Sequence, residues 1–212
     1  MTFSIVARCE RTGYLGVASA TFSLACGARS EGARPGVAVS RTQAFPKRTN
    51  CPLALNLVAL GFRPAEAMAL VEENDPDFEY RQMAIIAPTG PVAMHTGAKA
   101  RPWAGHRTGE HFAAFGNILA GPQVIEGMVA GFESDPGVDL GERLLRAIEG
   151  GRDAGGQIGL QGHVTERSAW VRVVDDAYAP RIDLRVDWHD SAVHELRRIH
   201  SALLRERADA GA

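Results

Sequence analysis

Phe3, Ile5 and Ala7 alternate with Ser4, Val6 and Arg8, the two-residue period of a strand. Glu10-Arg11-Thr12-Gly13 reads as a turn and Tyr14–Ala20 as a returning strand, so the chain opens on a hairpin. Thr21–Cys26 continues that strand or crosses to the next, and Gly36–Thr42 is a third strand after the Pro35-Gly36 turn. The period then lengthens. Leu53, Leu57 and Leu60 recur at helical spacing between Pro52 and Leu60, with Gly61 as the stop. Pro64 opens a second helix, which Asn74-Asp75-Pro76 ends. Tyr80–Ala87 and Pro91–Thr96 form a second hairpin about Pro88-Thr89-Gly90. Gly97–His111 has no period and reads as a structured loop; Phe112–Leu119 is strand-like. Ile125, Met128, Val129 and Phe132 line one face of a helix that starts at Gly121-Pro122. Asp139 with Glu142 matches a capping box for the next helix, which carries Leu144, Leu145 and Ile148 inward and ends at Gly150-Gly151. Ala154–Arg167 reads as a Gly-rich loop, and Ser168–Asp175 and Arg181–Asp187 as strands. Asp190 or Ser191 caps a last helix with Val193, Leu196, Ile199 and Leu203 inward, and residues 208–212 are expected to fray.

Hairpins imply antiparallel sheet. Helices arrive in pairs between hairpins, not singly between strands, which argues against a doubly wound parallel sheet. The order predicts an α+β fold: a four-layer α-β-β-α sandwich of two mainly antiparallel sheets, as a single domain over 1–212. Phe3–Arg8 belongs in one sheet, and the helix pairs at Pro52–Asn74 and Pro122–Gly150 cover outer faces.

Composition changes this picture little. Of 212 residues, 45% are hydrophobic and 23% charged, an ordinary globular balance. A net charge of −2 argues against a nucleic-acid partner. No signal peptide or spanning segment is visible, so the expected place is the cytoplasm, away from membranes. Cys9, Cys26 and Cys51 form no metal-ligand or disulfide pattern and read as small buried hydrophobes. No cofactor and no metal are expected.

The chemistry concentrates at Thr2. A threonine behind Met1 is small enough for the methionine to be removed. That would leave a hydroxyl and an α-amine on one residue, at the start of a strand. An α-amine titrates at about 7.7–8.0, so a fraction is neutral near pH 7 and can take the hydroxyl proton. This is one of the recognised ways to activate a weak nucleophile.

Several segments, taken in order, resemble a known family. They are Thr2–Ala7, Gly16–Ala20, Thr42-Gln43-Ala44, His95-Thr96-Gly97, Trp103–His106, Gly116–Gly121 and Asp183–Asp187. Together they are similar to the bacterial and archaeal family called domain of unknown function 1028, among the Ntn-hydrolase-like (N-terminal nucleophile) folds, from Thr2 to about Leu203. The resemblance implies the α-β-β-α sandwich and strengthens Thr2 as a nucleophile. It carries no settled reaction, although Ntn hydrolases cleave amide bonds. The family pattern implies Gly-Gly-Asp where this chain has Gly155-Gly156-Gln157, so one implied carboxylate is absent.

If Thr2 attacks an amide, the oxyanion needs preorganised donors, and Asn117 in its glycine-flanked segment is the candidate. Ser4 shares Thr2's strand face, and Ser19 lies beside it if the first two strands pair. Gln43 is a candidate substrate-binding residue, with His95 and His106 at the rim. The expected function is hydrolysis of a small amide or related C–N bond, by a homo-oligomer acting on a small molecule. Two other classes stay open: a non-catalytic Ntn-fold binding or assembly protein that retains Met1, and a His-dependent metal hydrolase using His106 and His111.

Overall fold

The computed structural model describes residues 1–29, 32–177 and 179–211; Ala212, the end of the tail expected to fray, lies outside them. The strands are β1 (Thr2–Arg8), β2 (Leu15–Thr21), β3 (Ala33–Arg34), β4 (Ala38–Ala44), β5 (Arg81–Ile86), β6 (Ala93–Thr96), β7 (Ala104–Thr108), β8 (Phe112–Asn117), β9 (Gln157–Gly159), β10 (Gly162–Val164), β11 (Ser168–Val174) and β12 (Ile182–Val186). The helices are α1 (Asn50–Ala59), α2 (Pro64–Glu73), α3 (Pro122–Glu133), α4 (Leu140–Asp153) and α5 (Ala192–Asp209).

One sheet has six strands in the order β12-β11-β2-β1-β8-β7, a second has four, β3-β4-β5-β6, and β9 and β10 form a small hairpin. Every pairing is antiparallel. Period-two alternation gives β1 two faces. Phe3, Ile5 and Ala7 enter the core that α3, α4 and α5 close with Met128, Leu144, Leu145 and Leu196. Val6 faces the other way, with Val17, Phe115 and Trp170, and meets Val39, Ala84 and Ile86 of the four-stranded sheet. Met83 and Ile85 on that sheet's far face pack against Ala54, Ala67, Met68 and Val71 of α1 and α2. Among the described residues no helix is long and apolar enough to cross a membrane.

The structure departs from the sequence reading at several elements, and it adds the short β3 before the expected third strand. Gly150 and Gly151 do not end α4, which continues to Asp153. They are packing residues: a Cβ on Gly150 would lie 2.2 Å from the Gly127 carbonyl oxygen, and one on Gly151 would lie 2.7 Å from Met128. The glycines let α3 and α4 cross closely. Gly97–His111 is not all loop, because Ala104–Thr108 is β7; it forms an edge strand of small and polar residues with no apolar alternation to announce it. The segment 154–167 likewise contains the β9–β10 hairpin.

Gly150→Ala measures the close approach. In an exposed helix it would stabilise by about 1 kcal/mol through propensity. Here overpacking should win and destabilise by about 1–3 kcal/mol. Urea melts should show a lower midpoint; a raised midpoint would mean that α3 and α4 separate easily.

Candidate functional site

Register decides which polar side chains meet. Thr2 pairs with Asn117 on one side and Thr21 on the other, and Thr21 pairs with Ser168. These residues form one row across β8, β1, β2 and β11, two residues along from the Phe115–Ser4–Ser19–Trp170 row. Both rows face the four-stranded sheet. Thr2 Oγ1 donates to the Met1 carbonyl at 2.6 Å and Thr21 Oγ1 donates to the same oxygen at 2.5 Å. The two hydroxyl oxygens are 3.1 Å apart. Ser168 Oγ donates to the Ser23 carbonyl at 2.7 Å and accepts from the Cys26 N–H at 3.1 Å, holding the segment that follows β2.

Beneath this row lies an array of buried amides and hydroxyls. Ser4 Oγ is hydrogen-bonded to Ser19 Oγ and donates to Gln43 Oε1 at 2.5 Å. Gln43 Nε2 donates to Gln82 Oε1 at 3.0 Å, and Asn117 Nδ2 donates to the same oxygen at 3.1 Å. Gln82 Nε2 donates to the Gly116 carbonyl at 2.8 Å and to Thr96 Oγ1 at 3.1 Å. Thr96 Oγ1 in turn bonds His106 Nδ1 at 2.9 Å. Ser4, Ser19 and Gln82 are 0% exposed. Mutual satisfaction is what makes such burial tolerable, and it fixes the array in one arrangement.

A cleft of about 330 Å³ opens beside Thr2, within the range of small-molecule sites. Met1, Thr2, Thr21, Ser23 and Leu24 line one wall, with Arg41, Gln43, Arg48 and Cys51 opposite. Its lining includes the consecutive residues Ser40, Arg41, Thr42, Gln43 and Ala44. Consecutive strand residues point to opposite faces, so the cleft runs along the edge of β4. Among the described residues no strand pairs with that edge beyond Ser40, whose N–H reaches the Gly32 carbonyl. Ala44 at the end of β4 and Ile118 just past Asn117 adopt left-handed backbone (φ 73° and 55°), conformations that non-glycine residues rarely take and that cluster at functional sites.

The electrostatics favour a neutral amine. Burial, and secondarily the Arg101 cation, pull the Met1 ammonium down from 8.0 to about 6. Arg101 itself lies over the Phe45 ring, 5.0 Å from its centroid. Burial also pushes the Cys26 thiol up.

Of the residues singled out in the sequence, Thr2 and Gln43 line the cleft. Ser4 and Ser19 lie below it in the buried array, and Asn117 stands next to Thr2 in register with its amide turned to Gln82. His95 and His106 are not at its rim. His95 is the register partner of Met83 and points to the α2 side, where its ring stacks on Phe78 at 4.2 Å. The strand's alternation puts it on the wrong face of the sheet. His106 sits on the edge strand β7 at the far end of the amide array, and burial, with His95 second, holds its pKa below the usual range. His111 bonds Arg8 instead of joining His106. Among the described residues no group of three His, Cys, Asp or Glu is placed to hold a metal ion.

The sequence reading missed Thr21, Ser168, Gln82 and Arg48. Thr21 was accessible: a hairpin that pairs Arg8 with Leu15 must pair Thr2 with Thr21. Arg48 had no local signal, since only the edge of β4 brings it to the cleft.

The crystal structure of protein SPO2555 from Silicibacter pomeroyi, of the family DUF1028, is similar to this chain with a TM-score of 0.84 and 28% identity. The match covers 95% of this chain and 85% of that one. A looser likeness, with a TM-score of 0.44 and 11% identity over 98% and 97% of the two chains, is to Anbu (ancestral beta-subunit) from Yersinia bercovieri. No curated protein matches. The model of DUF1028, a family of unknown function, matches residues 2–196, and the chain belongs to that family.

Proposed function

We propose that the chain is an N-terminal-nucleophile hydrolase that cleaves a small amide or related C–N bond, with Thr2 as nucleophile once Met1 is removed. The observation that carries this reading is the position of Thr2. It opens a central strand with its hydroxyl at a cleft, beside Thr21 and above a rigid amide array. The stacking of α3–α5, the six-stranded sheet, the four-stranded sheet and α1–α2 supports the four-layer α-β-β-α arrangement of the Ntn-hydrolase-like class.

Loss of Met1 removes the carbonyl to which both hydroxyls are tied. Thr2 then carries Oγ1 and its amine on one residue. Oγ1 adds to the substrate carbonyl carbon as the amine takes its proton. The oxyanion needs donors; Asn117 Nδ2 makes one bond, to Gln82, and its second hydrogen is the side-chain donor we assign. The tetrahedral intermediate collapses by breaking the C–N bond, and the ammonium returns the proton to the leaving nitrogen. The Thr2 ester is then hydrolysed by water, with the amine again as base, releasing the acid and restoring the hydroxyl. Ser4, Ser19 and Gln43 act as positioning residues from below.

A folded protein that keeps Met1 is the alternative, because Met1 in place occupies both hydroxyls. Intact mass of protein from its native host separates the two, with loss of one methionine expected and full retention overturning the hydrolase reading. The pH profile tests the base. Activity should fall as pH drops through the pKa of the Thr2 amine; burial and Arg101 lower the pKa of the Met1 amine, one residue before it, and we expect them to act on the Thr2 amine in the same direction. Arg101→Gln removes the cation, raises the amine's pKa and should move the acid limb to higher pH. An unmoved limb would mean that Arg101 does not act on the base, and a profile with no acid limb at all would exclude the amine.

A further inference from the structure

Ser40 and Thr42 line the cleft, but not with their hydroxyls. Each pairs with a residue of the α1–α2 face, Ile85 and Met83, and both hydroxyl oxygens are buried. What the two residues offer the cleft is backbone. Hydrogen bonding along an antiparallel strand alternates between its two edges, and two bonds fix the alternation in β4. Phe45 N–H donates to the Tyr80 carbonyl at 3.4 Å, so the odd-numbered residues bond β5. Ser40 N–H donates to the Gly32 carbonyl at 2.6 Å, so the even-numbered residues face the other edge. Past Ser40 that edge holds the N–H and C=O of Thr42 and the N–H of Ala44, and none of the three has a hydrogen-bond partner among the described residues. The edge is short. Residues 32–34 cover it as far as Ser40, and Ala44 turns left-handed (φ 73°) ahead of Pro46, which has no N–H.

A row of unpaired N–H and C=O groups along a strand edge is a template for another extended chain. This row lies in the cleft that also holds Thr2. We propose that the open edge of β4 binds the substrate by strand addition, and that the substrate is peptide-like: an amino-acid residue acylated at its nitrogen and amidated at its carbonyl. The residue opposite Thr42 exchanges two bonds with it, its N–H donating to the Thr42 carbonyl and its carbonyl accepting from the Thr42 N–H. A second substrate carbonyl accepts from the Ala44 N–H. Three groups over two strand positions match a ligand of about two residues, and a simple primary amide would leave one of them unanswered. The pairing rests on the edge alone; that the paired ligand is a substrate rests on the hydrolase reading.

The test is binding of N-acetyl-alanyl-alanine amide to the full chain carrying Thr2→Ala, which lacks the nucleophile, followed by amide NMR. In the free chain the Thr42 and Ala44 N–H groups should exchange with solvent faster than those of Arg41 and Gln43, which bond β5. Saturating probe should slow both. Two depsipeptide analogues, each with an ester oxygen in place of one alanine N–H, read the alternation. Of two consecutive residues only one turns its N–H to a given edge. One ester should therefore bind about two- to twelvefold more weakly than the probe, the range of a single hydrogen bond, and the other within about twofold of it. Asymmetric binding without cleavage of the probe by the processed parent would keep the pairing and overturn the substrate assignment. Cleavage of simple primary amides with no binding of the probe would keep the hydrolase reading and overturn the edge. No binding at millimolar concentration, equal weakening by the two esters, or Thr42 and Ala44 amides already protected in the free chain would each overturn the pairing, the last because another segment or a second copy then covers the edge.

Discussion

Thr2→Ala is expected to lower kcat/KM by at least about a thousandfold on any amide that the processed protein cleaves, with the fold intact. The hydroxyls near it on β1 and β2 are poorly placed to take over. Ser4 and Ser19 are 0% exposed and bonded to each other. Thr21 Oγ1 lies 3.1 Å away, but its residue carries no free amine to accept a proton. The substitution removes one hydroxyl from a half-buried strand end, so melting should change little. Thr2→Ser retains both hydroxyl and amine and should stay within about tenfold of the parent, the loss reflecting a less constrained side chain. Undiminished turnover by Thr2→Ala would exclude the nucleophile whatever the state of Met1.

The framework around Thr2 was legible because alternation and turns are local. Phe3, Ile5 and Ala7 against Ser4 and Val6 define β1, and the Glu10–Gly13 turn leads into its partner. What the local pattern does not encode is which face of a doubly covered strand looks toward Thr2. Both faces of the second sheet are buried, so Met94 and His95 look equivalent in sequence. Packing sends Met94 to the inter-sheet core and His95 to the stack on Phe78. Edges are equally silent. β7 carries Ala104-Gly105-His106-Arg107-Thr108, whose pairing depends on β8 and not on any period of its own. Arg48 follows β4 in an unremarkable Phe45-Pro46-Lys47 segment and reaches the cleft because β4 leaves an edge open there. Gly150 looked like a helix stop since sequence gives no sign of a crossing helix whose Gly127 carbonyl lies where a side chain would stand.

Gln82→Leu should be the most destabilising single change at this site, at roughly 3–5 kcal/mol, although the two side chains are similar in size. Gln82 joins both sheets. Its Oε1 accepts from Gln43 and Asn117, and its Nε2 donates to the Gly116 carbonyl and Thr96. Leucine leaves two buried donors and the Gly105 and Gly116 carbonyls without that partner, in a place that water does not reach. For a chain of this length such a loss lowers Tm by roughly 10 °C. Gln43→Leu combined with Gln82→Leu should cost less than the sum of the two singles, because each single variant orphans groups that the other removes. Thermal melts of the four proteins close that cycle. Additive losses would mean that the amides act as independent contacts. The expected coupling would mean that the floor beneath Thr2 is held as one unit, which keeps the first residue of β1 in register with Thr21 and Asn117.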